Sequence, residues 1–342
     1  MNKKNVITVL VFLSLGIALI YWQYNNIAPE DRSKIYQSIA NAKWIYVLPA
    51  IIISFASHYF RALRWKLLLA PLEIKPGIVN TTLAVLIGYF VNLLVPRAGE
   101  VAKCTVLAKY EKAPVDKMLG TIVAERAFDT LCLGLFAVIT LLLQYDIVLG
   151  YAQDLGQQLM NGFLRTPDGA IIWNKLIFLL LIGLVVIVGF VFLIKKTKNS
   201  AIGKALLGIW EGLKSISKVK NKFQFIAYTI GIWLGYTLVV NVCFFALAST
   251  ENVMPLASLS IIVFGSVAMI VTPGGIGAYP PIVASILMLY GITFIDGTTF
   301  GWFSWLLQTV ATLAFGLLSI VILFVYNNKK SNGTYKVGNH TT

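Results

Sequence analysis

Residues 92–103 read NLLVPRAGEVAK and residues 121–130 read TIVAERAFDT. Both segments have the apolar density of a membrane helix, yet Arg97, Glu100, Glu125, Arg126 and Asp129 interrupt them. A charge at the bilayer centre costs roughly 2.5–3.5 kcal/mol on insertion scales, so such groups pair, face a wet cavity or sit near the interface. Pro96 and Gly99 break the backbone where the charges begin. Irregular backbone at membrane depth is tolerated only when buried in protein or lining a cavity. A broken helix tip with charges beside it is what a polar-ligand site inside a membrane requires.

The rest of the chain agrees with a membrane setting. Of 342 residues, 58% are hydrophobic and only 12% charged, with a mean hydropathy of +0.80. Soluble domains carry about 25% charged residues. The net charge of +14 reads as membrane topology, because Lys and Arg concentrate in short cytoplasmic loops; nucleic acid is not the expected partner. Cys104, Cys132 and Cys243 lie in or beside apolar segments, an odd number that argues against a disulfide framework. His58 and His340 have no metal-ligand spacing with any other residue. No metal, cofactor or catalytic residue is expected.

Single spans are predicted over 6–21, 44–57 (prolonged to Lys66), 120–143, 173–194, 223–248 and 301–326, close to the 20 residues a bilayer demands. An amphipathic helix is predicted over 200–219, with Lys204, Glu211, Lys214 and Lys218 opposite an apolar face. Residues 327–342 read as a polar, disordered cytoplasmic tail, leaving 1–326 as one transmembrane domain. If both termini, 58–77, 96–119 and 195–222 are cytoplasmic, 22 of the 28 Lys and Arg residues lie on that side. Two further apolar stretches, 78–110 and 256–290, must then leave the membrane on the side from which they enter. Each breaks at a Pro/Gly tip: Val95 to Glu100 in one, Val271 to Pro281 in the other. The expected fold is therefore all-α, with about six full spans and two opposed re-entrant hairpins resembling an inverted repeat. The alternative is that each stretch makes two short, full crossings.

Arg97 offers a planar fork of donors suited to phosphate, and Glu100 could orient it or accept an amine. Glu125 and Asp129 are four apart and flank Arg126. These charges either contact a ligand or hold the hairpin down as a structural cluster. Arg61 and Arg64 share a helix face three apart, where they either snorkel to the interface or touch a lipid headgroup. In the second tip, Pro273, Gly274, Gly275, Gly277 and Tyr279 could present backbone N–H groups to an anion, or simply make a turn.

Taken in order, VPRAGE, AERAFD and TPGGIG resemble the transmembrane region of lysylphosphatidylglycerol synthases, a region that also occurs as stand-alone flippase-like proteins. The resemblance covers residues 40–325. It implies movement of an anionic or modified lipid between leaflets of a bacterial plasma membrane, through a polar midplane cavity. The large synthases add a cytosolic aminoacyl-transferase domain after this region. That activity is not expected here, where the chain stops after its last span. Where family members often carry an acidic residue after the second tip, this chain has Tyr279, Pro280 and Pro281. Competing readings are a membrane enzyme acting on a lipid phosphate and a non-catalytic partner of a cell-envelope lipid or glycan enzyme.

Overall fold

In the computed structural model of the chain, residues 27–95, 98–147 and 219–338 are described, with positions 14, 18, 21, 24 and 25. The spans predicted over 6–21 and 173–194, the amphipathic helix over 200–219 save its last residue, and the tip residues Pro96 and Arg97 lie outside the described residues. The described elements are helical throughout: α1 (Pro29–Ala40), α2 (Val47–Leu69), α3 (Ile78–Leu94), α4 (Ala98–Glu111), α5 (Val115–Leu143), α6 (Lys222–Phe244), α7 (Ala257–Val271), α8 (Tyr279–Met288) and α9 (Phe294–Gly338). Four stretches among them are long and apolar enough to cross a membrane: Trp44–Leu72, Val115–Leu143, Lys222–Phe244 and Phe294–Asn328. The protein is an all-α integral membrane protein.

The chain forms two compact units, one of Met1–Glu125 with Ser215–Thr342 and one of Arg126–Lys214. The second is described over 126–147, mainly the later turns of α5. In the first unit, α2 packs on α6, α3 on both α4 and α9, and α8 on α9. Without a hydrophobic force between helices in lipid, close packing of small residues carries association. A Cβ on Gly88 of α3 would sit 2.9 Å from the carbonyl oxygen of Gly99 in α4, so the two backbones touch there. Gly297 and Gly301 of α9 do the same against Ala284 and Pro280 of α8, at 2.8 and 2.6 Å. Leu83 and Ile87 of α3 close a small core with Leu323 of α9.

Both broken stretches turn by the same device. Val95, at the end of α3, is extended (φ −134°, ψ 107°), and Thr272, at the end of α7, is likewise extended (φ −119°, ψ 146°). Each precedes a proline, whose ring disfavours helical geometry in the residue before it. After the first turn, Asn92 Oδ1 accepts the Gly99 N–H at 2.8 Å, so α3 caps the start of α4. The limbs α3, α4, α7 and α8 have 17, 14, 15 and 10 residues. At 1.5 Å per residue, none reaches the roughly 30 Å of the hydrocarbon core.

The last helix runs past Asn327, where the polar tail is expected to begin. The backbone of α9 remains helical to Gly338. Asn327 donates to Asn80 Oδ1 at 2.9 Å and Asn80 Nδ2 donates to Asn327 Oδ1 at 3.1 Å. Asn80 Nδ2 also donates to Glu111 Oε1 at 2.6 Å. With α9 fixed there and no proline beyond it, each further residue adds one backbone hydrogen bond.

Candidate functional site

The charges of the opening stretch divide. Glu125, on the third turn of α5, is buried, whereas Arg126 beside it is exposed and Asp129 half-buried. Glu100, in the first turn of α4, is half-buried. Arg97, expected as the partner of one of these carboxylates, is outside the described residues. The described partners of Glu125 come from other helices. Arg61 Nη1 of α2 donates to Glu125 Oε1 at 2.8 Å, and Arg64 Nη2, one turn on, reaches the same oxygen at 3.5 Å. Lys103 Nζ of α4 donates to Oε2 at 2.7 Å. Side-chain exposures are 8% for Arg61, 0% for Arg64, 10% for Lys103 and 3% for Glu125.

Polar and aromatic groups surround the four. Arg61 Nη2 donates to the Tyr236 hydroxyl at 3.1 Å and Arg64 Nη1 to Thr229 Oγ1 at 3.3 Å, both on α6. The Lys103 ammonium lies 4.5 Å from the centre of the Trp65 ring. The Trp65 indole is itself held by a 2.9 Å hydrogen bond to Thr121 Oγ1. Such cation–π contacts gain strength when desolvated. Arg61 and Arg64 therefore do not snorkel to an interface; they point into the bundle and bond to one carboxylate. Lys103, His58, Trp65, Thr229 and Tyr236 were not legible as members of the site. Lys103 carried a signal, being a lysine three residues after Glu100 inside an apolar segment; the others carried none.

The second tip is a packed turn. Pro273–Gly275 forms one turn of 3-10 helix, with Gly274, Gly275 and Gly277 at φ of 61°, 74° and 73°, where glycine is favoured. The Gly275 N–H donates to the Thr272 carbonyl at 3.1 Å, a bond made within the turn itself. A Cβ on Gly275 would lie 2.9 Å from Met269 Sδ and 3.1 Å from Tyr279 Cβ. Tyr279 is buried, its ring edge 2.8 Å from where a Cβ on Gly265 would lie. The indole N–H of Trp305 on α9 donates to the Gly274 carbonyl at 2.7 Å. The end of α3 approaches the second tip: Leu93 Cδ2 lies 3.3 Å from the position of a Cβ on Gly274.

No group of three His, Cys, Asp or Glu able to hold a metal occurs among the described residues. What the helices and their charges define is a multi-pass membrane protein with a desolvated ionic cluster and two proline-broken helical hairpins. The chain belongs to the family of the lysylphosphatidylglycerol synthase transmembrane region, which it matches over residues 5–316. It is 25% identical over 143 residues to a UPF0104 membrane protein of Methanothermobacter thermautotrophicus, covering 40% of this chain and 41% of that protein. It is 28% identical over 148 residues to a UPF0104 membrane protein of Methanocaldococcus jannaschii, covering 42% of each. The matched part spans about two fifths of the length of these curated relatives. No solved structure matches.

Proposed function

We propose that the chain moves an anionic or modified phospholipid between leaflets, with Arg61, Arg64, Lys103 and Glu125 on the path of the headgroup. The observation that carries this reading is the cluster itself. Three cations and a carboxylate from three helices are withdrawn from water inside the helical bundle. Apolar side chains of similar volume often replace a buried ion pair at no loss of stability, so stability alone gives little reason to keep one. Intramembrane ionisable groups usually mark a substrate or ion pathway. The limbs α3, α4, α7 and α8, too short to cross alone, suit two opposed re-entrant hairpins whose rocking gives access to each side in turn. Both oxygens of Glu125 are taken by cationic donors, a poor arrangement for a general base, so the chain works as a carrier and not as an enzyme on lipid phosphate. It resides in a bacterial plasma membrane with both termini cytoplasmic. Anionic lipids are its partners, and a cell-envelope lipid or glycan enzyme supplies or consumes them.

The test is a headgroup-accessibility assay in proteoliposomes. Fluorescent phosphatidylglycerol in the inner leaflet should become quenchable from outside faster than in protein-free vesicles, and faster than labelled phosphatidylcholine. Equal rates with and without protein for both lipids would sink the proposal.

A further inference from the structure

The buried cations do not only hold one another's helices; their donors converge on one pair of oxygens. Arg61 Nη1 and Arg64 Nη2 meet at Glu125 Oε1, while Lys103 Nζ takes Oε2, at 2.8, 3.5 and 2.7 Å. A carboxylate so placed is an anion on a tether, held where a free anion with two or three oxygens would find the same donors. Guanidinium forks match phosphate as well as they match carboxylate. A second, independent observation lies one turn before Arg61. His58 is 6% exposed, and its Nδ1 has no hydrogen-bond partner among the described residues. Its ring packs 4.4 Å from that of Tyr89, the same ring that lies 5.8 Å from the Arg61 guanidinium carbon. A buried polar nitrogen with no partner is rare in folded proteins and calls for a physical cause. Here a ring nitrogen able to meet one more oxygen stands beside Arg61, on the same face of α2.

We propose that Arg61, Arg64 and Lys103, with His58 as a fourth donor, form a seat for a phosphate group, and that Glu125 is its internal occupant. An incoming phosphate exchanges with the Glu125 carboxylate. The exchange breaks the contact by which α4, the second limb of the first hairpin, is tied through Lys103 to α5. Ligand arrival and release of the hairpin are then one event. In the setting of the transport reading above, the phosphate is that of a lipid headgroup, but the seat itself requires only the phosphate.

The experiment uses the full chain purified in an uncharged detergent. Thermal stability and tryptophan fluorescence are followed while inorganic phosphate, dihexanoyl phosphatidylglycerol or dihexanoylglycerol is titrated. Trp65, beside Lys103, is the reporter, assigned by its loss in Trp65→Phe. Removing the occupant in Glu125→Gln should tighten binding of the phosphate-bearing probes about tenfold, and removing a donor in Lys103→Met should weaken it about tenfold, the scale of one charge-assisted hydrogen bond. His58→Leu in the Glu125→Gln background should weaken it by a smaller factor. Lys109→Met, an equal loss of charge at an exposed position of α4, should change nothing. Should Glu125→Gln fail to fold, Lys103→Met against wild type carries the comparison.

A response to both phosphate probes means that the phosphate group suffices. A response to the lipid alone means that acyl chains are needed as well. Both support the seat. No phosphate-dependent response in wild type or Glu125→Gln, or the same response to dihexanoylglycerol, overturns it. A chain that binds in this way but moves no lipid refutes transport and leaves the seat standing; one that moves lipid without any phosphate response does the reverse.

Discussion

Replacing Glu125 by Gln keeps the side chain's shape and removes its charge. The carboxylate accepts three cationic donors at 2.7, 2.8 and 3.5 Å, and none of the four side chains is more than 10% exposed. After the change, Arg61, Arg64 and Lys103 face one another across a neutral amide whose NH2 can accept nothing. Removing one partner of a buried pair costs about 3–5 kcal/mol, because the remaining charge is left uncompensated. Three cations on one carboxylate place this variant at the upper end of that range. The loss should be partly recovered by also removing Lys103, since Glu125→Gln/Lys103→Met retains one cation fewer. Contacting residues of one network show coupling of about 0.5–3 kcal/mol in such cycles. The assay is thermal denaturation of the detergent-purified chain, with the monodisperse fraction scored after each temperature step. Glu125→Gln should lose its fold at a markedly lower temperature than wild type, and the double variant should lie between the two. If Glu125→Gln melts with wild type, these cations are solvated and the cluster is not a desolvated one.

At the exposed Lys43–Glu251 ion pair, Lys43→Ala should leave the melting profile unchanged, because exposed pairs contribute little. Trp305→Phe removes the indole donor to the Gly274 carbonyl; a loss of about 1 kcal/mol should appear as faster amide exchange at 272–278, and unaltered exchange would refute the bond's role. Gly275→Ala meets both a φ of 74° and Met269 Sδ at 2.9 Å, so overpacking of about 1–3 kcal/mol should lower the yield of folded protein; a normal yield would show that the tip relaxes freely. Cysteines placed at Lys117 and Asn252 should react with an impermeant thiol reagent from opposite sides of the membrane, Lys117 from the cytoplasm, and labelling of both from one side would overturn the assigned topology.

The membrane class, the four described spans and the two helix breaks were legible because they depend on local properties. Apolar length predicts spans, and Val95-Pro96 and Thr272-Pro273 carry the break in two residues. That Glu125 interrupts an apolar segment was legible; its burial and its partners were not. Arg61 and Lys103 are 64 and 22 residues away from it, and only packing of α2, α4 and α5 brings them together. Counting positive charge by loop assigned Arg61 and Arg64 to a cytoplasmic boundary, because a one-dimensional count does not tell a snorkelling arginine from one that points inward. The glycines of the second tip left two roles open for a related reason. Their freedom of φ was legible, but the Thr272 carbonyl that takes the Gly275 N–H depends on how the turn closes.

The most direct test of lipid movement through the ionic cluster compares wild type with Lys103→Met in the same proteoliposomes. Lys103→Met leaves Glu125 paired with both arginines and retains a long side chain against Trp65. Folding is checked by monodispersity before reconstitution, and the measurement is the rate at which labelled phosphatidylglycerol crosses between leaflets. Crossing should be protein-dependent in wild type and reduced at least tenfold in Lys103→Met, the effect of losing one charge-assisted hydrogen bond to the phosphate. A folded Lys103→Met that moves lipid at the wild-type rate would contradict the account.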